Sequence, residues 1–190
     1  MGFVDVAGFS SATSSIKPSE IRNYIDPFFG RVMEDLEASY CYIDKTIGDE
    51  IVFILPDTEN EDGVHINLKI GIAMEKLAII SKQFAQTHPF RLGLAFGTVV
   101  LVQKVGGGYK EWSMDGQTVN LAKHLHSLPE LRKPSPFAGA FGMLTNDPEC
   151  EATFPTRLGY ITFTGFRWNF SAVQRTETFK GNTSALVATF

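Results

Sequence analysis

The sequence contains few cysteines, no long apolar run and no cluster of basic residues. Its two cysteines, Cys41 and Cys150, are far apart and have no CxxC partner, which argues against a zinc site or a disulfide scaffold and favours a reducing cytoplasm. No apolar run is long enough to cross a bilayer, and the N-terminus lacks the basic and then apolar pattern of a secretion signal. We therefore expect a soluble chain without membrane insertion.

The charge of the chain gives no sign of a nucleic-acid partner. The net charge is -4, and the lysines and arginines are scattered along the sequence instead of forming a run. A nucleic-acid surface needs clustered basic residues, so we expect no nucleic acid partner. With 190 residues, 44% of them hydrophobic, the chain can bury one core, which predicts a single domain over residues 1–190.

Strand and helix patterns alternate along the chain. A short apolar strand is followed by a helical period that begins near Pro18, and later segments repeat this alternation. The predicted strand segments are residues 3–7, 40–55 (a hairpin), 90–104 and, less clearly, a hairpin around 160–175. The predicted helices are residues 18–36, 66–84 and 119–128, with turns or loops at 56–63, 106–108 and 127–135. One mixed sheet with helices packed on it, an α+β or α/β sandwich, is the predicted architecture.

Two aspartates and a glycine turn suggest a metal beside a phosphate. Asp49 lies at the turn of the predicted hairpin, and Asp5 lies in an apolar strand where a buried carboxylate is costly unless a cation or donors compensate it. Asp49 alone is more often a structural turn residue. After Asp5, the sequence Gly8-Phe9-Ser10 offers free backbone amides before a helix, which suits phosphate oxygens. A metal next to a phosphate indicates a nucleotide.

Four segments resemble the successive signatures of class III nucleotidyl cyclases, and they occur in the family's order. They are residues 3–10 (FVDVAGFS), 45–49 (KTIGD), 90–97 (FRLGLAFG) and 116–122 (GQTVNLA). Four ordered motifs are more specific than any one of them. The resemblance covers about the first two-thirds of the chain. It implies the ferredoxin-like cyclase fold and a homodimer in which the metal aspartates of one subunit meet the asparagine helix of its partner.

The resemblance also implies roles for individual residues in the cyclisation of a nucleoside triphosphate. Asp5 and Asp49 match the family's two metal-binding aspartates, and the carbonyl of Val6 is an extra ligand for two Mn²⁺ or Mg²⁺ ions. Arg91 matches an arginine that contacts the triphosphate, although an exposed strand arginine is the plainer interpretation of this residue alone. Asn120 matches the asparagine that orients the ribose.

The chain departs from the family pattern at two cationic positions. His124 stands where an arginine usually stabilises the phosphate charge, and Thr164 stands where a lysine contacts the phosphates. Three outcomes are open: turnover is slow, other residues substitute, or the site is degenerate and the domain only binds nucleotide in a regulatory role. The candidate substitutes are Lys123, Arg167 and Arg175.

The base of the substrate is left open by the resemblance. Lys45 and Ser113 match the pair that reads the adenine edge in adenylyl cyclases, yet a lysine and a hydroxyl also suit the carbonyl oxygens of a pyrimidine. Tyr42 and Trp112 are bulky neighbours that could narrow the pocket, although either is more often a packing residue. Short class III-like domains that depart from the arginine pattern resemble the bacterial Pycsar pyrimidine cyclases, which make cyclic UMP or CMP in anti-phage signalling. We favour that hypothesis, with adenylate cyclase as the alternative.

Overall fold

The computed structural model describes residues 1–58, 63–132, 135–144, 160–163, 166–169, 175–179 and 183–190. Within these ranges the strands are β1 Gly2–Val6, β2 Tyr42–Ile47, β3 Glu50–Ile54, β4 Phe90–Phe96, β5 Val100–Gly106, β6 Tyr109–Asp115, β7 Phe137–Leu144, β8 Tyr160–Phe163, β9 Phe166–Asn169, β10 Arg175–Phe179 and β11 Thr183–Thr189. The α-helices are α1 Phe9–Thr13, α2 Ile21–Glu37, α3 Ile66–Gln83 and α4 Gln117–Leu125. Short 3₁₀ turns cover Pro18–Glu20 and Pro129–Arg132.

In the described residues, seven strands form one mixed sheet in the order β10-β11-β7-β4-β1-β3-β2. The neighbours β4 and β7 are parallel, and the other pairs are antiparallel. Two further hairpins, β5-β6 and β8-β9, stand outside this sheet. The predicted mixed sheet with packed helices is therefore confirmed, and so are the predicted hairpin of β2 and β3 and the glycine turn between β5 and β6.

Helices cover both faces of the sheet because strand residues alternate between the faces. In β1, Val4 and Val6 pack with buried residues of α2 and α3, whereas Phe3 packs with Leu121 and Leu125 of α4. Asp5 shares the α4 side of β1 with Phe3 because the two lie two residues apart. The sandwich thus carries its buried aspartate on the face that α4 covers.

Helix α4 approaches the sheet most closely at Gly93 in β4. A Cβ atom at this position would lie 2.6 Å from the backbone nitrogen of His126 and closer still to the carbonyl oxygen of Ala122. Both obstructing atoms belong to the backbone, so they cannot move aside as a flexible side chain would. The glycine allows the asparagine-bearing helix to lie directly on the strand that carries Arg91.

We expect Gly93→Ala to lower the free energy of unfolding by about 1–3 kcal/mol or more, because the added methyl group displaces α4. Urea unfolding measures this change. Gly30→Ala is the matched control, since Gly30 lies within α2 and nothing lies within 4 Å of the position of its Cβ. That control should be neutral or stabilising by about 0.5–1 kcal/mol. Equal stability of the two variants would contradict the close packing.

Several boundaries differ from the sequence predictions. Helix α4 begins at Gln117, two residues before the predicted start, and the predicted strand-rich segment divides into β4 and β5. The 3₁₀ turn Pro129–Arg132 lies inside the predicted loop. Strands β8 and β9 occupy the predicted weak hairpin, but Thr164 lies outside the described residues. None of the helices described above is both long and apolar enough to span a membrane.

Candidate active site

The ends of β1 and the β2-β3 hairpin bring the two predicted metal aspartates together. Asp5 is only 6% exposed and lies opposite Glu50 on one neighbouring strand and Arg91 on the other. Gly48 adopts a φ of 63°, a left-handed conformation that favours glycine, and it turns the chain so that Asp49 comes next to β1. The backbone N–H of Val6 donates to the carbonyl oxygen of Asp49 over 3.4 Å. The hairpin therefore fixes the second aspartate against the first.

The surroundings of Asp5 favour a compensating cation. Burial raises the pKa of Asp5 to about 7; the charge of Arg91 opposes this, whereas the charge of Asp49 and a hydrogen bond with its carboxyl group reinforce it. Two carboxylates held this close repel each other when both are ionised. Since carboxylate oxygens are the preferred ligands of Mg²⁺ and Mn²⁺, a divalent cation would relieve the repulsion. The residues therefore fit such an ion.

Arg91, the predicted triphosphate ligand, lies beside these carboxylates. Its Nη2 donates to the Asp5 carboxylate, and its side chain is 19% exposed. Its Nε is buried and has no hydrogen-bond partner among the described residues. The guanidinium thus keeps one donor unused beside the carboxylates. Any cation bound to Asp5 must share or replace this ion pair.

Glu50 and His126 complete the cluster and were missed in the sequence. One ligand atom each from Asp5, Glu50 and His126 lie within 4.8 Å of one another. His126 Nε2 is 3.5 Å from Glu50 Oε1, and Lys123 Nζ is 3.7 Å from Glu50 Oε2. Burial, together with the charges of Arg91 and Lys123, lowers the pKa of His126 to about 4, so the imidazole is neutral at neutral pH. Only the strand register, which places Glu50 opposite Asp5, could have identified this third carboxylate.

The predicted phosphate turn follows directly from β1. Gly8 has a φ of 75° and precedes the short helix α1, which begins at Phe9. Gly8 and Ser10 are exposed, and the N–H of Ala7 is already bonded to the carbonyl oxygen of Pro89 at 2.7 Å. The first N–H groups of a helix have no partner within the helix. The backbone amides that follow Gly8 therefore lie just beyond the end of β1, the strand that carries the buried Asp5.

The two residues predicted to act on the transition state, Asn120 and His124, lie on a different element. Asn120 is exposed on α4, and His124, one turn later on the same side of the helix, is half-buried. In the described part of the chain, Asn120 makes no hydrogen bond to Asp5 or Asp49. Three residues were predicted to substitute for the missing cationic contacts. Lys123 pairs with Glu50, whereas the side chains of Arg167 and Arg175 are not among those that the structure describes. The protomer thus holds the metal aspartates and Asn120 in separate groups.

The predicted base-reading residues lie on the outer edge strand β2 and the β5-β6 hairpin. Lys45 Nζ is 3.2 Å from Glu111 Oε1 and 3.5 Å from Asp44 Oδ2. Partial burial opposes protonation, but hydrogen bonding to Glu111 and the charges of Asp44 and Glu111 raise the pKa of Lys45. Lys45 is therefore a charged donor at neutral pH.

Ser113 is buried on the same hairpin as Glu111 and accepts a hydrogen bond from Lys104 Nζ at 3.0 Å. Glu111 and Lys104 were missed in the sequence because their contacts require the register of β5 on β6. The two bulky neighbours, Tyr42 and Trp112, are 67% and 58% exposed. Neither is a core packing residue in the protomer, which corrects the plainer interpretation of both.

A cavity of about 360 Å³ lies at the opposite end of β3 and β4 from Asp5. Its lining includes Ile54, Ile70 and Phe96 and contains none of the predicted site residues. Concave shape alone does not supply the convergent polar groups that a nucleotide needs. We assign the candidate site to the aspartate cluster because that is where the charged groups converge.

The sequence of the chain matches a family model described as the adenylate and guanylate cyclase catalytic domain over residues 1–133. The fold and the placement of the matched motifs agree with this assignment. The chain belongs to the adenylate and guanylate cyclase catalytic domain family, that is, to the class III nucleotidyl cyclases.

Curated relatives include cyclases for both purines. The chain is 27% identical over 137 residues to the receptor-type guanylate cyclase gcy-23 of Caenorhabditis elegans, an alignment that covers 69% of this chain and 13% of that protein. It is 28% identical over 131 residues to an adenylate cyclase of Streptomyces coelicolor, covering 67% of this chain and 29% of that protein. The chain therefore corresponds to less than a third of either relative.

Solved structures show the same fold. The guanylyl cyclase Cya2 has a TM-score of 0.65 at 19% identity, covering 98% of this chain and 87% of that chain. The adenylyl cyclase CyaB of P. aeruginosa has a TM-score of 0.60 at 13% identity, covering 98% of this chain and 91% of that chain. Because the relatives and structures include both adenylyl and guanylyl cyclases, similarity does not select a base.

Proposed function

We propose that the chain converts a nucleoside triphosphate into a 3′,5′-cyclic nucleotide and pyrophosphate at the interface of a homodimer, with UTP or CTP preferred over purine substrates. The observation that carries this proposal is the contact between Asp5 and Asp49, whose carboxyl groups meet beside Arg91 and the turn at Gly8. In a chain of this family, such a cluster is suited to a metal-bound triphosphate.

Each residue of the cluster has a role in this reaction. Asp5, Asp49 and the carbonyl group of Val6 would hold two divalent cations, Mn²⁺ or Mg²⁺, which would supply activation of the ribose 3′-oxygen and neutralisation of the leaving pyrophosphate. Arg91 and the amides of Phe9 and Ser10 bind phosphate oxygens. These contacts hold the α-phosphorus within reach of the ribose oxygen.

We assign the orientation of the ribose, and the stabilisation of the negative charge that develops on the phosphate, to α4 of the partner subunit. Asn120 is an exposed amide that can orient the ribose by hydrogen bonding. His124 offers a single imidazole where an arginine would offer a permanently charged guanidinium with a bidentate fork of donors. We expect turnover to depend on Asn120 more than on His124.

Homodimer assembly is supported by exposed apolar side chains around β2 and the β5-β6 hairpin. Large apolar residues there are 47% to 67% exposed, namely Tyr42, Ile47, Val100, Leu101, Val105 and Trp112. Apolar surface of this kind usually marks a protein interface. A symmetric dimer that covers it would bring the base-reading residues of one subunit to the aspartate cluster of the other.

The preference for a pyrimidine is supported by the bulk of Tyr42, an exposed aromatic residue. Tyr42 and Lys45 lie on one face of β2, because their partners Ile54 and Val52 are two residues apart in β3. In the dimer the Tyr42 ring would narrow the space for the base and exclude a double ring. Trp112 is next to Ser113 in β6 and therefore lies on the opposite face of the hairpin, which corrects its predicted place beside the base. The cyclic UMP or cyclic CMP product would then serve bacterial anti-phage signalling.

Competition among equal concentrations of UTP, CTP, ATP and GTP with Mn²⁺, with products identified by mass, tests this preference. We expect pyrimidine products to dominate, and we expect Tyr42→Ala to raise the purine share by about tenfold because the pocket widens. Tyr42→Phe is the matched control, since it keeps the ring and should keep the preference. A dominant cyclic AMP product from the unaltered protein would instead establish the adenylate cyclase alternative.

A further inference from the structure

Four polar side chains form a connected strip on β2 and one face of the β5-β6 hairpin: Lys45, Glu111, Ser113 and Lys104. Glu111 and Ser113 share a face because they are two residues apart in β6, and Lys104 lies directly opposite Glu111 in β5. Lys45 bonds Glu111, and Lys104 bonds Ser113. The four-motif resemblance assigns no role to Glu111 or Lys104.

The contacts determine which groups of the polar strip donate and which accept. Lys45 can only donate, and an ionised Glu111 can only accept. Ser113 can do both, but Lys104 Nζ donates to its oxygen over 3.0 Å. Since this contact uses a lone pair of the Ser113 oxygen, the hydroxyl hydrogen of Ser113 is left to donate to a different group, such as a carbonyl oxygen of the base. Lys45, Glu111 and Ser113 together present donor, acceptor and donor groups.

Uracil has the complementary edge. Its O4, N3–H and O2 are acceptor, donor and acceptor, so each can pair with one group of the polar strip. Cytosine places the lone pair of N3 where Glu111 needs a hydrogen, and the carboxylate would repel it. Guanine places its amino group where Ser113 donates. Each mismatch would leave a polar group without a partner once the bound base covers it, which weakens binding.

We infer that Glu111 acts with Lys45 and Ser113 to select uracil over cytosine, and that Lys104 is a positioning residue that keeps the Ser113 hydroxyl a donor. This inference rests on the proposed function, because it specifies which pyrimidine the same site accepts. UTP is accordingly the preferred substrate, and cyclic UMP is the product.

Glu111→Gln tests the inference with little change of shape. The glutamine amide can donate to N3 of cytosine, so the ratio of kcat/KM for UTP to that for CTP should fall about tenfold or more. Asp115→Asn is the matched control: Asp115 lies on the same face, two residues beyond Ser113 and four beyond Glu111, and its only ion pair among the described residues is with Lys104 at 4.0 Å. Asp115→Asn removes the same negative charge from a residue that is not one of the three base-reading groups. The ratio of kcat/KM for UTP to that for CTP should therefore be unchanged.

Lys104→Met is an independent variant that acts through Ser113. Without the Lys104 contact, the Ser113 oxygen can accept from the amino group of guanine. We therefore expect the kcat/KM of GTP relative to UTP to rise severalfold, while the UTP to CTP ratio changes less than it does in Glu111→Gln. Because the Lys104 side chain is 53% exposed, its removal should leave the fold intact.

The products of a mixture of all four triphosphates, quantified by mass for each variant, decide the matter. The inference is supported if cyclic UMP dominates in the unaltered protein and if the UTP to CTP ratio falls in Glu111→Gln but not in Asp115→Asn. Dominant cyclic CMP, or an unchanged UTP to CTP ratio in Glu111→Gln, overturns it while leaving the proposed pyrimidine cyclase intact. Dominant purine products overturn both the pyrimidine preference and the inference.

Discussion

Asp49→Ala is expected to lower kcat by at least about a thousandfold while the protein remains folded and dimeric. The Asp49 side chain contacts the buried Asp5 carboxyl group at the turn of the β2-β3 hairpin. In the proposed mechanism this substitution removes a ligand of the divalent cations, so both the activation of the ribose oxygen and the neutralisation of the leaving group that the cations would supply are lost. The fold should survive because Asp49 follows a glycine turn instead of filling the core.

The prediction has a direct binding measurement besides turnover. Titration of Mn²⁺, followed by electron paramagnetic resonance, should show weakened binding in Asp49→Ala and in Asp5→Ala. Asp26→Ala is the control, since Asp26 lies on α2 in an exposed pair with Arg22 at 3.8 Å and should leave both readouts unchanged. Full activity in either cluster variant would remove these aspartates from the proposed mechanism.

The proximity of Asp5 and Asp49 was predictable because each residue has a local signature. Asp49 is preceded by a glycine between two strand patterns, and Asp5 interrupts an apolar strand, so burial and turn position can be inferred without knowing the fold. Glu50 has no such signature. Its proximity to Asp5 follows from the antiparallel register of β1 and β3, which short strands do not specify in sequence.

The polar strip was only half predictable for the same reason. Lys45 and Ser113 stand inside or beside family motifs, whereas Glu111 and Lys104 face each other only because the hairpin turns at Gly107 and Gly108. A turn one residue longer would place Lys104 beside a different residue of β6. The chemistry of the strip therefore depends on turn geometry that composition does not determine.

Strand β7, absent from the sequence prediction, shows how packing overrides propensity. Its sequence, FAGAFGML, includes small residues that disfavour strands in isolation. Those residues are required by their neighbours: a Cβ at Gly139 would overlap the ring of Phe190, and one at Gly142 would lie 2.8 Å from Leu125 of α4. The strand becomes central only when its parallel partner β4 and the last residue of the chain are in place.

Mixed dimers of Asp49→Ala and Asn120→Ala chains test the composite site. Each single variant should lose nearly all turnover, because both of its sites lack one essential group. A dimer with one chain of each kind combines the intact Asp49 of one chain with the intact Asn120 of the other. One of its two sites is therefore complete, and the purified mixed dimer should recover about half of the unaltered activity.

The turnover of this mixed dimer, isolated through two different affinity tags, tests the central claim most directly. The matched control mixes Asp49→Ala with Asp5→Ala; both changes affect the same half of the site, so no complete site forms and no activity should return. The composite-site account predicts recovery in the first mixture alone. A mixed Asp49→Ala and Asn120→Ala dimer as inactive as its parents, beside an unaltered protein that is fully active, would contradict it.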